Sequence, residues 1–142
     1  MARDLRKVLT GGLLVLGAAV PVLLAVEATQ QRACDRACLL AITHSYVDAL
    51  QAHKPAALNV APDLKTTQNG APLSLGEGLW RTAKAISARQ SFADASTGEV
   101  AFFGVVTEQN GQRSQLALYL KINRQRIQEV ETVTSPEGAR RR

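Results

Sequence analysis

Residues Cys34–His53 read CDRACLLAITHSYVDALQAH, and this stretch decides the fold. At one residue per 100°, Leu39, Ile42, Thr43, Tyr46, Ala49, Leu50 and His53 fall on one side, while Arg36, His44, Asp48 and Gln51 fall mostly on the other. The spacing predicts a helix with one face to be covered. The chain beyond His53 reads as short strands and turns, so a sheet must supply the cover, and Tyr46 is the polar-tipped residue expected between the layers.

Downstream, Lys54 and Pro55 end the pattern, and Pro55 suits the first position of a short second helix to about Asn59. Ala61, Pro62 and Asp63 are expected to turn the chain and Leu64–Gln68 to form a short strand. Asn69-Gly70 signals another turn, before a brief pairing at Leu73–Leu75. Gly76 and Gly78 bracket Glu77 at the start of a third predicted helix, Glu77–Ser87; the spacing lacks the third glycine of a phosphate loop. From Ser91 the period changes to two. Strands are expected at Ser91–Ala95, Val100–Glu108, Ser114–Ile122 and Arg126–Thr134, with Asn110-Gly111 as a hairpin turn. Leu116, Leu118, Leu120 and Ile122 share one face of the third of these, and Gln115, Ala117, Tyr119 and Lys121 the other. In the last, Val130 and Thr132 alternate against Glu129, Glu131 and Val133, so the two glutamates are read as solvent-facing charges. Adjacent Phe102 and Phe103 must point to opposite faces. Helices first and antiparallel strands afterwards imply a single α+β domain, its curved sheet wrapped around the long helix.

The N-terminus reads differently. Arg3, Arg6 and Lys7 precede an uncharged, mostly apolar run of 19 residues, Val8–Val26. That is an export pattern, expected to act either as a signal peptide cleaved after Ala28 or as an uncleaved anchor; both leave the domain outside, in the periplasm or secreted. Residues 1–28 contribute one of the five net positive charges, and three more are the terminal Arg140, Arg141 and Arg142, so the folded part is near neutral. Residues 135–142 are expected to be a disordered basic tail. With no basic stripe interleaved with aromatics, nucleic-acid binding is not indicated.

Cys34 and Cys38 are the two cysteines, both in the exported part. An intact helix holds positions i and i+4 about 6 Å apart at Cβ against the roughly 3.8 Å a disulfide prefers, so a bridge requires the first turn to open at Cys34. A structural disulfide is favoured, with free thiols or redox chemistry as the alternatives. Two thiols without His, Asp or Glu at ligand spacing are too few for zinc, and no nucleotide, haem or metal motif appears.

The strings CDRACL, YVDAL, NGAPLSLGEGLW, GEVAFFGVV, LALYLK and IQEVET, together with the order of elements over residues 34–134, resemble a secreted branch of the SnoaL-like proteins. These belong to the superfamily of cone-shaped, nuclear transport factor 2-like domains. The resemblance implies a long N-terminal helix and short helices packed on a curved antiparallel sheet enclosing a pocket for a small apolar organic molecule. It also implies a homodimer through the outer sheet face, where Tyr119 stands. Tyr46-Val47-Asp48 looks like the setting of the isomerase tyrosine that hydrogen-bonds a developing oxyanion. Asn69 occupies a place similar to that of the isomerase general base, where an amide cannot take a proton, and Leu118 falls where the second acid would stand. Tyr46 and Asn69 are therefore the candidate catalytic positions, and Trp80, His53, Val130 and Thr132 the candidate ligand contacts. His53 and Asp63 are alternative bases with simpler roles as a helix-end cap and a turn residue. Trp80 reads equally as a pocket wall or a core residue. Two functions stand side by side: a cofactor-independent isomerase, cyclase, dehydratase or hydrolase, and a non-catalytic binding or dimerisation module.

Overall fold

The computed structural model describes residues 34–138; the expected export segment and the last four residues lie outside that range. Helix α1 spans Arg36–Gln51, capped by the Asp35 carboxylate, which accepts the Cys38 N–H at 2.8 Å. Its buried residues, Leu39, Thr43, Tyr46, Val47, Ala49 and Leu50, are the expected stripe with Val47 added, Ile42 only half-buried, and His53 exposed beyond the helix end. Cys34 lies outside the helix and is bridged to Cys38, with the Cα atoms 5.2 Å apart.

After a single 3-10 turn at Pro55–Ala57 come β1 (Val60–Gln68), β2 (Ala71–Pro72), α2 (Leu79–Thr82), β3 (Ala83–Asp94), β4 (Glu99–Glu108), β5 (Arg113–Asn123) and β6 (Arg126–Pro136). They form one six-stranded sheet of order β2-β1-β6-β5-β4-β3. β3 through β6 make an antiparallel meander, as the alternation requires, whereas β1 joins the edge of β6 in parallel. Leu116, Leu118, Leu120 and Ile122 of β5, Val130 and Thr132 of β6, and Val100, Phe102 and Val106 of β4 are buried, and the apolar ones share one core with the stripe of α1. Each large aliphatic side chain buried there contributes about 1.5–3 kcal/mol, so helix and sheet hold one another in place. Among the described residues this is an α+β, nuclear transport factor 2-like cone.

Four local expectations are corrected. The predicted helix Glu77–Ser87 is one short turn, α2, running straight into β3. A register shift between Ala83 and Ala85 puts buried Ala83 and Ile86 on one face of the strand, an interval of three that imitates a helix. Ala61–Asp63 do not turn the chain; they lie within β1, at the irregularity between Val60 and Lys65. The pairing expected at Leu73–Leu75 falls at Ala71–Pro72, opposite Gln68 and Thr67. β6 continues through Ser135 to Pro136, and Glu137 beyond it pairs with Arg113 at 3.0 Å, so the tail expected over 135–142 does not begin at 135, and its last four residues lie outside the described range.

Candidate functional site

Tyr46 sits on the third turn of α1, 2 % exposed, its ring edge-on to Trp80 with centroids 5.3 Å apart at 81°. The Trp80 indole N–H donates to the Tyr46 hydroxyl oxygen at 3.2 Å. Burial pushes the phenol up to about 12, against smaller opposing effects of hydrogen bonding with Trp80 and Thr132. At neutral pH the group is a protonated donor, and the indole polarises it further in that sense.

Tyr46 helps to line a chamber of about 20 Å³, room for roughly one water, with Gln68, Leu73, Leu75, Glu77 and Trp80. Thr66, Thr67, Ser74, Val130 and Thr132 complete the lining. Glu77 is its sole carboxylate; one oxygen accepts the Ser74 N–H at 3.3 Å and the other lies 3.7 Å from Arg81. Gln68, at the end of β1, accepts the Leu79 N–H at 2.9 Å and so ties the start of α2 to the sheet. Outside the same wall lies a broad groove of about 760 Å³ along Leu64–Thr67 and Pro72–Leu75.

The structure thus gathers Tyr46, Trp80, Val130 and Thr132 at one chamber. It does not bring His53 or Asn69 there. His53, exposed beyond α1 with φ +54°, hydrogen-bonds through Nδ1 to the Trp80 carbonyl and anchors α2 from behind. Asn69, at the β1–β2 turn with φ +51°, uses its amide on Thr134: the oxygen accepts the backbone N–H at 2.9 Å and the nitrogen donates to the hydroxyl at 3.3 Å. Asp63 is exposed on β1. Glu77 and Gln68 are the residues the pattern did not single out. The available signal was a carboxylate between two glycines, read as a helix boundary and not as a loop folded over the hydroxyl of Tyr46. Among the described residues no three His, Cys, Asp or Glu side chains are grouped as metal ligands would be.

The opposite sheet surface is also distinctive. Phe103 and Phe92, 48 % and 52 % exposed, meet edge-to-face at 6.3 Å, and Phe103, Val105, Ala117 and Val133 line a shallow groove of about 370 Å³. Tyr119 stands on that face and donates to Glu99 at 3.0 Å; burial first, and then Glu99, push its hydroxyl up to about 12.

Solved structures share this architecture. A protein with a cystatin-like fold from Methylobium petroleophilum PM1 is 18% identical, with a TM-score of 0.55 over 77% of this chain and 85% of that one. A candidate ketosteroid isomerase from Kribbella flavida DSM 17836 is 14% identical, with a TM-score of 0.54 over 73% and 82%. The BvnE pinacolase from Penicillium brevicompactum is 14% identical, with a TM-score of 0.55 over 70% and 84%. Identities this low establish the fold and leave the chemistry open. Comparison with curated proteins returned no match. Residues 32–134 match the family model of DUF8021, a domain of unknown function, and the chain belongs to that family.

Proposed function

We propose that the protein is exported and binds a small, mostly apolar organic molecule, whose oxygen is placed at the Tyr46 hydroxyl. The observation that carries this reading is a protonated, buried phenol in the lining of a chamber that also holds three threonines, Ser74, Gln68 and the Glu77 carboxylate; at about 20 Å³ the chamber must widen to admit the molecule. Where chemistry accompanies binding, Tyr46 polarises that oxygen in a cofactor-independent isomerisation, cyclisation, dehydration or hydrolysis. The named enzymes of the same fold, a pinacolase and a candidate ketosteroid isomerase, support that class. The bridged Cys34–Cys38 pair is in keeping with an oxidising compartment, periplasmic or extracellular. Native mass spectrometry of the protein purified from its own host tests the reading: a co-purifying small molecule, lost in Tyr46→Phe, is the expected result, and the bare polypeptide mass in repeated preparations argues against it. The same spectrum reports whether residues 1–28 are removed or retained as a membrane anchor.

A second reading, a non-catalytic module that pairs with itself, has its own observation: the exposed Phe92, Phe103 and Val133 on the outer sheet face.

A further inference from the structure

We propose that Leu73–Gly78 is a lid over the Tyr46 chamber, and that with the lid raised, chamber and outer groove become one site in which Glu77 meets the ligand opposite Tyr46. The Glu77 assignment rests on the proposed binding of a small organic molecule and extends it. The inner chamber holds about 20 Å³ and the outer groove about 760 Å³, yet both are lined by Thr66, Thr67, Leu73, Ser74, Leu75 and Glu77. What divides them is therefore one stretch of β1 and one loop.

The two halves of that partition differ in how they are held. β1 is paired with β6 over Lys65–Gln68, with Thr66 opposite Val130 and Thr67 opposite Glu131, so the part that borders the chamber stays with the sheet. Hydrogen bonds to β1 fasten the loop at two points, and Leu75 packs on the core between them. At one, Leu73 N–H donates to the Thr66 carbonyl at 3.1 Å and the Thr66 hydroxyl donates to the Leu73 carbonyl. At the other, Leu79 N–H donates to the Gln68 side chain. Its far end is Gly78, φ +58°, where a β-carbon would lie 2.4 Å from Gln68 Oε1 and 2.6 Å from Leu73 Cδ2. The closed loop thus seats its clasp and its plugging leucine against a bare α-carbon.

Glu77 travels with the loop. Its partner Arg81 is 3.7 Å away and both side chains are well exposed, at 45 % and 71 %, so this pair is weak and readily exchanged for a ligand donor. With the loop raised, the donor Tyr46 and the sheet residues Leu64, Lys65, Thr66, Thr67 and Pro72 form one side of the site, and the loop presents Leu73, Leu75 and the acceptor Glu77 from the other. The matching ligand class is an uncharged, mostly apolar molecule with a carbonyl oxygen at one end and a hydroxyl at the other. 6-Hydroxy-1-tetralone has that form; 1-tetralone lacks the hydroxyl.

The test has two independent readouts. Trp80 is the single tryptophan, buried beneath the loop, so acrylamide quenching of its fluorescence reports lid opening without any ligand. Gln68→Ala, which removes the clasp, and Gly78→Ala, which displaces it, are both expected to raise quenching severalfold while far-UV circular dichroism stays native. Unchanged quenching in both overturns the lid. By calorimetry, Glu77→Gln is expected to weaken 6-hydroxy-1-tetralone about tenfold and leave 1-tetralone unaffected, while Tyr46→Phe weakens both. Equal effects of Glu77→Gln on the two probes, or none, remove Glu77 from the site. Binding of neither probe, even to the unclasped variants, overturns the binding reading and the Glu77 assignment with it, and the quenching result then decides the lid alone.

Discussion

A phenol with its hydroxyl in the core can be detected by pH. Tyr46 is pushed up to about 12, chiefly by burial, whereas in an unfolded chain it titrates near 10.0. Below the unfolded value both states hold the proton and the stabilisation is complete. As pH rises from there, the unfolded chain releases its proton first, so stability falls until the folded phenol also ionises near 12. A shift of that size corresponds to roughly 2–3 kcal/mol. Urea unfolding between pH 9 and 12 should therefore show wild type losing its advantage over Tyr46→Phe; a constant difference would place the hydroxyl in water. At neutral pH the same substitution strands the Trp80 N–H in the core and should cost about 1–3 kcal/mol. Tyr119, raised likewise but on the outer face beside Glu99, is solvent-screened and adds little. At this scale the sequence was legible where periodicity fixes direction, as for Tyr46, Val130 and Thr132. It was silent on Asn69, whose side chain turns to Thr134 through a pairing of β1 with β6 that lies 65 residues away along the chain.

Elements were legible in proportion to their regularity. α1 and the β4–β5 hairpin keep one period throughout, and both stand where the pattern places them. β3 is interrupted between Ala83 and Ala85 and again between Ser87 and Gln90, with Ala88 at φ +51°, so neither period fits it. That strand is held by side chains from the helix face expected to meet solvent: Gln51 accepts the Ile86 N–H at 2.6 Å, and Arg89 pairs with Asp48 at 3.0 Å. The turn between β3 and β4 depends on a glycine. At Gly98, φ +73°, a β-carbon would lie 2.2 Å from the Ile122 carbonyl oxygen, and the Gly98 carbonyl accepts the Ile122 N–H at 2.8 Å. Backbone cannot yield as a side-chain end does, so Gly98→Ala should lose about 2–4 kcal/mol by denaturant unfolding, far more than alanine at solvent-open Gly111. The helix start is more forgiving. A disulfide across a separation of 4 residues restrains little chain, and Cys34→Ser with Cys38→Ser should lower stability by about 1–2 kcal/mol without preventing folding.

At the scale of the whole molecule, the parallel seam of β1 on β6 was hidden because each strand alternates alike whichever way it pairs. The two-sidedness of the sheet was readable, and it bears on self-association. The inner face is closed by α1, while the outer face carries Phe92, Phe103 and Val133, with Glu99, Lys121, Glu129 and Glu131 toward one end of the same strands. Exposed aromatics in a contiguous apolar patch distinguish it from an ordinary wet sheet face. A two-fold pairing would set Phe103 of one copy into the groove beside Val133 and Ala117 of the other. Phe103 is 48 % exposed, so its replacement by lysine removes little from the core. Sedimentation at tens of micromolar should then show a dimer for wild type and a monomer for Phe103→Lys with nearly the same unfolding midpoint. A wild type that sediments as a monomer throughout would leave the aromatic face without a second copy. A Phe103→Lys variant that melts far lower would instead show the ring to be part of the cone's own packing.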